Sequence, residues 1–484
     1  MGTDRLEKET IWSMILLWGS GVLFLLCFSY MTSPLFPHSY VWDSSFFQLV
    51  GAGMTKGYLP YRDFYDMKGP WLFFIEYAAQ LICYGRLGIF ILQCINMGIV
   101  LFLCQKIFRK YFHGGGIISS LLVSLPLYIV LSSTMEGGNL TEEWSLIFLL
   151  LPIYLSLDFM MEEREEHKPL YGFFSGVCFG VLALIRITNS VMICAIVLTV
   201  TVHLIKNRKW RNFLGNAAAF LLGIAAAFVL PLLYFGYYGE IDSMLYCVFV
   251  FGFVYGTEGY AIGTGSIFLI TLLFPILIFF LTKQDNKRIW MLVICNTAGM
   301  MITLGMGNST LHDYILIIPN MMFGIWRLAE TWRDREAAVK IVTVAVILIC
   351  FAYPGYKMMK TGFSILGQIG DDTAYQYAME IADCIPEEER NSVWGYEVSM
   401  RWYAIADIMP YCKYCGWQEH YMELSPQIAS EVKEMLETDS PIWIVTGSGK
   451  EIENIIVKTK LQENYELFIE NSDCSLYRLK YKPA

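Results

Sequence analysis

Eleven apolar runs, at 11–30, 88–105, 116–134, 143–160, 170–185, 188–205, 213–235, 264–282, 289–306, 312–328 and 339–355, constrain this chain more than any other feature. Each is close to the roughly 20 residues that a helix needs to cross a hydrocarbon core about 30 Å thick. With 56% of its 484 residues hydrophobic and only 16% charged, the chain is too apolar for a soluble globule of its size. The fold class this predicts is an α-helical polytopic membrane protein of about 11 transmembrane helices. A net charge of −9 lacks the basic footprint of a nucleic-acid binder. Met1–Thr10 leads into the first run with no small-residue cleavage site, so that run reads as a retained helix and not as a signal peptide.

Leu170 to Ile205 is continuously apolar, yet one helix of that length would reach about 54 Å, nearly twice the core thickness. It must fold back. Its only internal Lys, Arg, Asp or Glu is Arg186, and a charge at mid-membrane costs about 3 kcal/mol on insertion scales, so the turn belongs there. In the loops between runs, eighteen Lys and Arg fall on the side of the amino terminus. Only seven fall on the other: Lys56, Arg62, Lys68, Arg86, Arg186, Lys357 and Lys360. Cytoplasmic loops carry the excess, which places the amino terminus on the cytoplasmic side of the cell membrane and, with an odd number of spans, the carboxyl terminus outside. Met244–Gly256 (MLYCVFVFGFVYG) is short for a further span and reads as interfacial or re-entrant, against a lipid chain, bulk lipid or protein core.

The chain divides into a membrane part, 1–360, and an extracytoplasmic part, 361–484. The first external loop, 31–87, is too long for a connector, and its WLFFIEYAAQLICY segment, Trp71–Tyr84, suits a helix lying in the interface. The last part reads as a small α/β domain, with helices at 373–384, 401–409, 426–437 and 451–460 and strands at 393–396, 442–446 and 476–479. TGSGK at 446–450 lacks phosphate-loop spacing and is better explained as a turn before a helix. Of the thirteen cysteines, seven lie in apolar runs as packing residues. Cys412 and Cys415 form a lone CxxC, open to a local disulfide or to free thiols.

Residues with chemistry cluster on the external side. Asp43, in YVWDSSFF, could take a proton from an acceptor hydroxyl, or could be a helix cap or a solvated loop acid. In GYLPYRDFYDMKGPWLFF, Tyr65 and the charged residues Arg62, Asp63, Asp66 and Lys68 lie at headgroup depth. Cations there suit a lipid phosphate, and internal ion pairs such as Arg62 with Asp63 are the competing account. GGNLTEEW brings Asn139, Glu142 and Glu143 to the same surface, where Asn139 and Glu142 are candidate substrate-binding residues and capping is the competing account that explains the acids well. Arg186, between two apolar runs, needs an anionic or carbonyl partner and is the stronger phosphate candidate, while His312, a candidate substrate-binding residue on the same face, could with Asp313 be only a helix cap. His38, His113, His167, His203 and His420 show no metal-ligand spacing, so no cofactor is required, although a divalent cation between external carboxylates and a phosphate is chemically reasonable.

In their order and sidedness these motifs resemble the GT-C fold polyprenyl-phosphate-sugar-dependent glycosyltransferases, the superfamily of protein O-mannosyltransferases and the bacterial aminoarabinose transferase. The motifs are an acid after the first span (Asp43), Tyr-x-x-Lys-Gly-Pro at 65–70, GGNLTEE, Arg-x-x-Asn at 186–189 and His-x-Tyr before Pro319. The resemblance implies an inverting transferase that moves a sugar from an undecaprenyl-phosphate-type carrier to a hydroxyl acceptor at the outer face. Asp43 would be the base, and Lys68 with Arg186 would hold the phosphate. Many relatives carry Asp-Glu and Lys-Pro-Pro where this chain has Asp43-Ser44 and Lys68-Gly69-Pro70, which leaves metal use and acceptor type open. A transporter or flippase of lipid-linked sugars is the alternative; it predicts polar groups at the midplane and internal repeats, and neither is evident in the sequence.

Overall fold

In the computed structural model, which describes residues 2–111, 117–162, 164–257, 265–305, 310–332, 336–367, 370–449 and 451–480, each apolar run coincides with a helical segment. His113 and Lys450 fall outside the described residues. Among the described residues five helical stretches are long and apolar enough to cross a bilayer: Ile11–Phe28, Arg86–Tyr111, Thr141–Met161, Pro169–Lys206 and Trp210–Tyr238. The chain is a multi-pass membrane protein. It forms two compact units, one of Met1–Leu35, Phe90–Tyr238 and Gly256–Gly367, the other of Phe36–Ile89, Gly239–Tyr255 and Gln368–Ala484.

In the first unit the predicted reversal is present. The helix Pro169–Arg186 loosens at Leu184, Arg186 itself is extended (φ −159°, ψ 113°), and a single 3-10 turn, Ile187–Ser190, leads into the helix Val191–Lys206. The next helix, Trp210–Tyr238, packs alongside Pro169–Arg186 with Gly172 against Asn216, Gly176 against Phe220 and Gly180 against Ala227. Contacts that advance together along both helices mean a parallel pair, so the helix between them must run the other way. Glycines set this approach. Lipid gives no hydrophobic force to join two apolar helices, and small residues let backbones come close enough for dispersion to do it. A Cβ at Gly176 would sit 2.0 Å from the Phe220 carbonyl oxygen, and one at Gly223 would sit 2.1 Å from that of Phe173.

In the second unit the helix Trp42–Thr55 packs on Pro70–Ile82, so closely that a Cβ at Gly51 would lie 2.7 Å from that of Glu76. Phe73 of the second helix turns inward, as does Phe251 of the 239–255 segment, which is helical and contributes to the protein core. The remainder is a four-stranded sheet of order β1-β2-β4-β3: β1 (Val393–Tyr396), β2 (Trp443–Gly447), β3 (Tyr465–Glu470) and β4 (Cys474–Leu479). β1 and β2 are parallel, the other pairs antiparallel, and Trp394, Tyr396 and Trp443 fill the core on its faces.

Three details differ from the sequence reading. The helix predicted from Glu451 begins at Ile455, because the Asn454 side chain caps it by accepting from the N–H groups of Ile456 and Val457. β3 went unpredicted, since its exposed Glu466, Leu467 and Phe468 lack alternation. So did the short helix Gln418–Leu424. Cys412 and Cys415 are free thiols.

Substituting Gly176→Leu is expected to lower the unfolding midpoint in detergent, through overpacking that costs about 1–3 kcal/mol or more against backbone atoms. Gly19→Ala, in the interior of the helix Gly2–Phe28 with nothing within 4 Å of its Cβ, serves as the control that does not lower the midpoint.

Candidate active site

In the second unit a short loop presents the predicted cation. Asp66 accepts the backbone N–H of Lys68 at 2.5 Å, and the Tyr61 hydroxyl donates to the Lys68 carbonyl at 2.8 Å. These two bonds fold residues 61–68 into a turn ahead of Gly69 and Pro70, where the helix Pro70–Ile82 begins. Tyr61 takes a left-handed conformation (φ 70°), and its N–H donates to the Phe64 carbonyl. Tyr65 anchors the turn in an aromatic cluster of Phe251, Tyr414 and Tyr421, with its N–H on the Lys413 carbonyl and its buried hydroxyl without a partner among the described residues. Arg62 is paired with Asp63 at 2.7 Å, as the bland account of that residue required.

Asp43 lies in the first turn of the helix Trp42–Thr55, but Val41 is the cap and no side chain performs the capping. The capping account of Asp43 therefore falls. Neither the Asp43 carboxylate nor the Lys68 ammonium has a hydrogen-bond or ion-pair partner among the described residues, and both are half-buried. The two meet electrostatically at Asp66. The Asp66 carboxyl is pushed up to about 6 on balance: burial raises it most, the charge and the N–H of Lys68 oppose the rise, and the negative charge of Asp43 adds to it.

The first unit holds the other predicted residues. Glu142 and Asp313 both accept from Nη1 of Arg186, Glu142 at 2.7 Å. Glu142 also accepts from the Thr141 hydroxyl at 2.7 Å, while its other oxygen is buried without a partner among the described residues. Asp313 forms a capping box with Thr310, and His312 bridges Thr310 at 2.8 Å and Glu136 at 2.7 Å. Asn139, left-handed after Gly137 and Gly138, accepts from the Trp144 indole at 3.0 Å and gives its N–H to Glu143 at 2.8 Å. Glu143 also accepts from Gln93 at 3.0 Å, so it is Glu143 that closes the start of its helix. Sequence reasoning missed Asp313 and Glu136 as partners of the predicted pair, because they lie 127 and 176 residues from Arg186 and His312.

Glu142, His312 and Asp313 bring one ligand atom each within 4.8 Å of one another, the one group with such geometry among the described residues. The Arg186 guanidinium already bonds two of the three, so a metal ion there would have to displace a cation. For the same reason its charge is matched by protein carboxylates before any phosphate arrives.

The folded chain holds the Asp66 proton to higher pH than the unfolded chain, so the cost of ionising it is absent below about pH 4, grows between about 4 and 6, and is full above that. A shift of that size is on the order of 3 kcal/mol. Asp66→Asn keeps an oxygen for the Lys68 N–H and is expected to raise the unfolding midpoint at neutral pH and leave it unchanged near pH 4; equal midpoints at neutral pH would refute this. Arg186→Ala strands two buried carboxylates and is expected to cost about 3–5 kcal/mol in a denaturation assay, most of it recovered when Glu142→Gln and Asp313→Asn are added.

Residues 69–235 match the family described as dolichyl-phosphate-mannose-protein mannosyltransferase. The match includes Asn139, Glu142 and Arg186 and begins one residue after Lys68. The crystal structure of ArnT from Cupriavidus metallidurans bound to undecaprenyl phosphate superposes with a TM-score of 0.61 at 11% identity, over 96% of this chain and 97% of that one. The apo state of ArnT from the same organism gives 0.59 at 12% identity, over 97% and 98%. No curated protein matches the sequence. The likeness of structure is a likeness of fold, and the fold is GT-C. Taken with the family match it indicates a glycosyltransferase.

Proposed function

We propose that this protein transfers a sugar from a polyprenyl phosphate of the undecaprenyl type to a hydroxyl acceptor at the extracytoplasmic face of the membrane. The amino terminus is cytoplasmic in this reading, and the donor class follows the ArnT structure, which holds undecaprenyl phosphate. One observation carries the assignment of residues: a carboxylate and an ammonium, both without protein partners among the described residues, share Asp66 as an electrostatic neighbour. Partners left open in this way suit groups that await a substrate.

In the proposed reaction the acceptor hydroxyl gives its proton to Asp43 as its oxygen attacks the anomeric carbon. The bond from that carbon to the phosphate oxygen breaks, and the polyprenyl phosphate leaves with the electron pair. Lys68 meets the negative charge that accumulates on the leaving phosphate. One displacement inverts the anomeric centre. Asp66 positions Lys68 through its backbone and Tyr65 anchors the turn, while Arg186 is assigned to holding the hairpin end to Glu142 and Asp313.

The test is transfer from a labelled polyprenyl-phosphate sugar by purified protein. Asp43→Asn is expected to lower kcat by about 10²- to 10⁴-fold. Lys68→Ala is expected to lose about 10²- to 10³-fold, with Lys68→Arg retaining part of the rate. Transfer near the wild-type rate by Asp43→Asn would remove Asp43 from the mechanism.

A further inference from the structure

A cleft of about 390 Å³ in the second unit lies where the start of the helix Trp42–Thr55 meets the turns that follow β1 and β2. That volume is within the range of small-molecule sites, about 300–1,000 Å³. Trp42, Glu397, Arg401, Ser448 and Asp473 are among its lining residues. Trp42 is 44% exposed, and Trp417, 45% exposed, stands beside it with ring centroids 5.6 Å apart. Two large indoles left open side by side mark a surface that expects a partner.

Their surroundings narrow the class of that partner. Nη2 of Arg401 binds both carboxylate oxygens of Asp473 at 3.0 Å, and the Asp473 carbonyl accepts the N–H of Ser448 at 3.0 Å. Glu397 and Trp417 are both left-handed (φ 50° and 56°), a conformation costly for residues with a Cβ and tolerated where the surroundings enforce it. The enforcing contacts are visible: the Glu397 N–H donates to Gln418 at 3.1 Å and the Glu397 carboxylate accepts the N–H of Glu419 at 3.0 Å. Two carboxylates against one guanidinium disfavour an anionic ligand, and the charged groups set among the indoles disfavour a lipid chain, which would leave them desolvated. A saturated sugar ring satisfies both conditions, because it has an apolar C–H face for an indole and equatorial hydroxyls for carboxylate and guanidinium.

We propose that this cleft binds a neutral, hydroxyl-rich glycan, with a sugar ring on Trp42 and its hydroxyls on Glu397, Arg401 and Asp473. Calling that glycan the acceptor rests on the transferase reading above; the binding itself does not. Trp42 immediately precedes Asp43 in the helix, which puts the cleft and the proposed base at the same helix start, with the two side chains on different faces.

The experiment is calorimetric titration of the full-length protein in lipid nanodiscs with chitotetraose, maltotetraose and mannotetraose as neutral probes and trigalacturonate as the acidic one. At least one neutral probe is expected to bind with a Kd between micromolar and millimolar, more tightly than the acidic probe. Trp42→Ala is expected to weaken binding about tenfold or more. Glu397→Gln supplies an independent variant with the same direction of effect should Trp42→Ala fail to fold. Absence of binding by every neutral probe, preference for the acidic one, or unchanged affinity in the variants that fold overturns the proposal. So does quenching by brominated lipid that disappears in Trp42→Ala, which would make the indole a membrane anchor. Because no donor is present, the outcome is separable from the transfer reading: unchanged glycan affinity in Trp42→Ala with transfer lost in Asp43→Asn sinks the cleft alone. Glycan binding that depends on Trp42, with transfer retained in Asp43→Asn, sinks only the role given to Asp43.

Discussion

A guanidinium carried by an apolar hairpin has to be neutralised within the protein or reach water, and Arg186 meets that constraint with two carboxylates. Its extended backbone breaks the helix, and its Nη1 gathers Glu142 from the start of one helix and Asp313 from the cap of another segment. The break also sets the direction of the next two helices. Once the chain reverses at Ile187–Ser190, the helix Trp210–Tyr238 can lie parallel to Pro169–Arg186, where glycines on both admit a close approach. A charge that is expensive in lipid thus fixes the turn, and the turn makes the tight helix pair available.

The second unit solves a different problem, which is to hold two charged groups open without letting them collapse onto each other or onto neighbours. Asp66 achieves this for Lys68 by taking the backbone N–H, so that the loop is fixed through the main chain and the ammonium stays unpaired. Burial makes that carboxylate costly, and an aromatic cluster around Tyr65 keeps the turn where it is. Arg62, two residues from Phe64 in the same loop, is by contrast committed to Asp63. Within a span of seven residues, backbone geometry thus leaves one cation without an ion-pair partner among the described residues while the other is paired.

Around this loop the sheet domain contributes more than a cover. It provides Tyr414 and Tyr421 to the cluster about Tyr65, and Trp417 beside Trp42. In this unit the charged turn and the indole-lined cleft are separate surfaces with different chemistry, the one presenting an ammonium and the other aromatic faces among charged groups.

Much of this was legible in the residues alone. Runs of about 20 apolar residues dictate helices wherever backbone groups cannot reach water, so the helical architecture came from composition and length. The reversal at Arg186 came from the cost of its charge, and β1 and β2 from short buried runs between polar turns. The partners of those residues were not legible. Asp313 reads as a cap and is also an ion-pair partner of Arg186, Glu142 reads as a helix-start acid like Glu143 and instead pairs with Arg186, and β3 has no alternation to announce it. Periodicity and charge counting report what a residue needs, because that depends on its own solvation. Which group supplies the need depends on contacts across more than a hundred positions of chain, and those exist only once the helices and the sheet have packed.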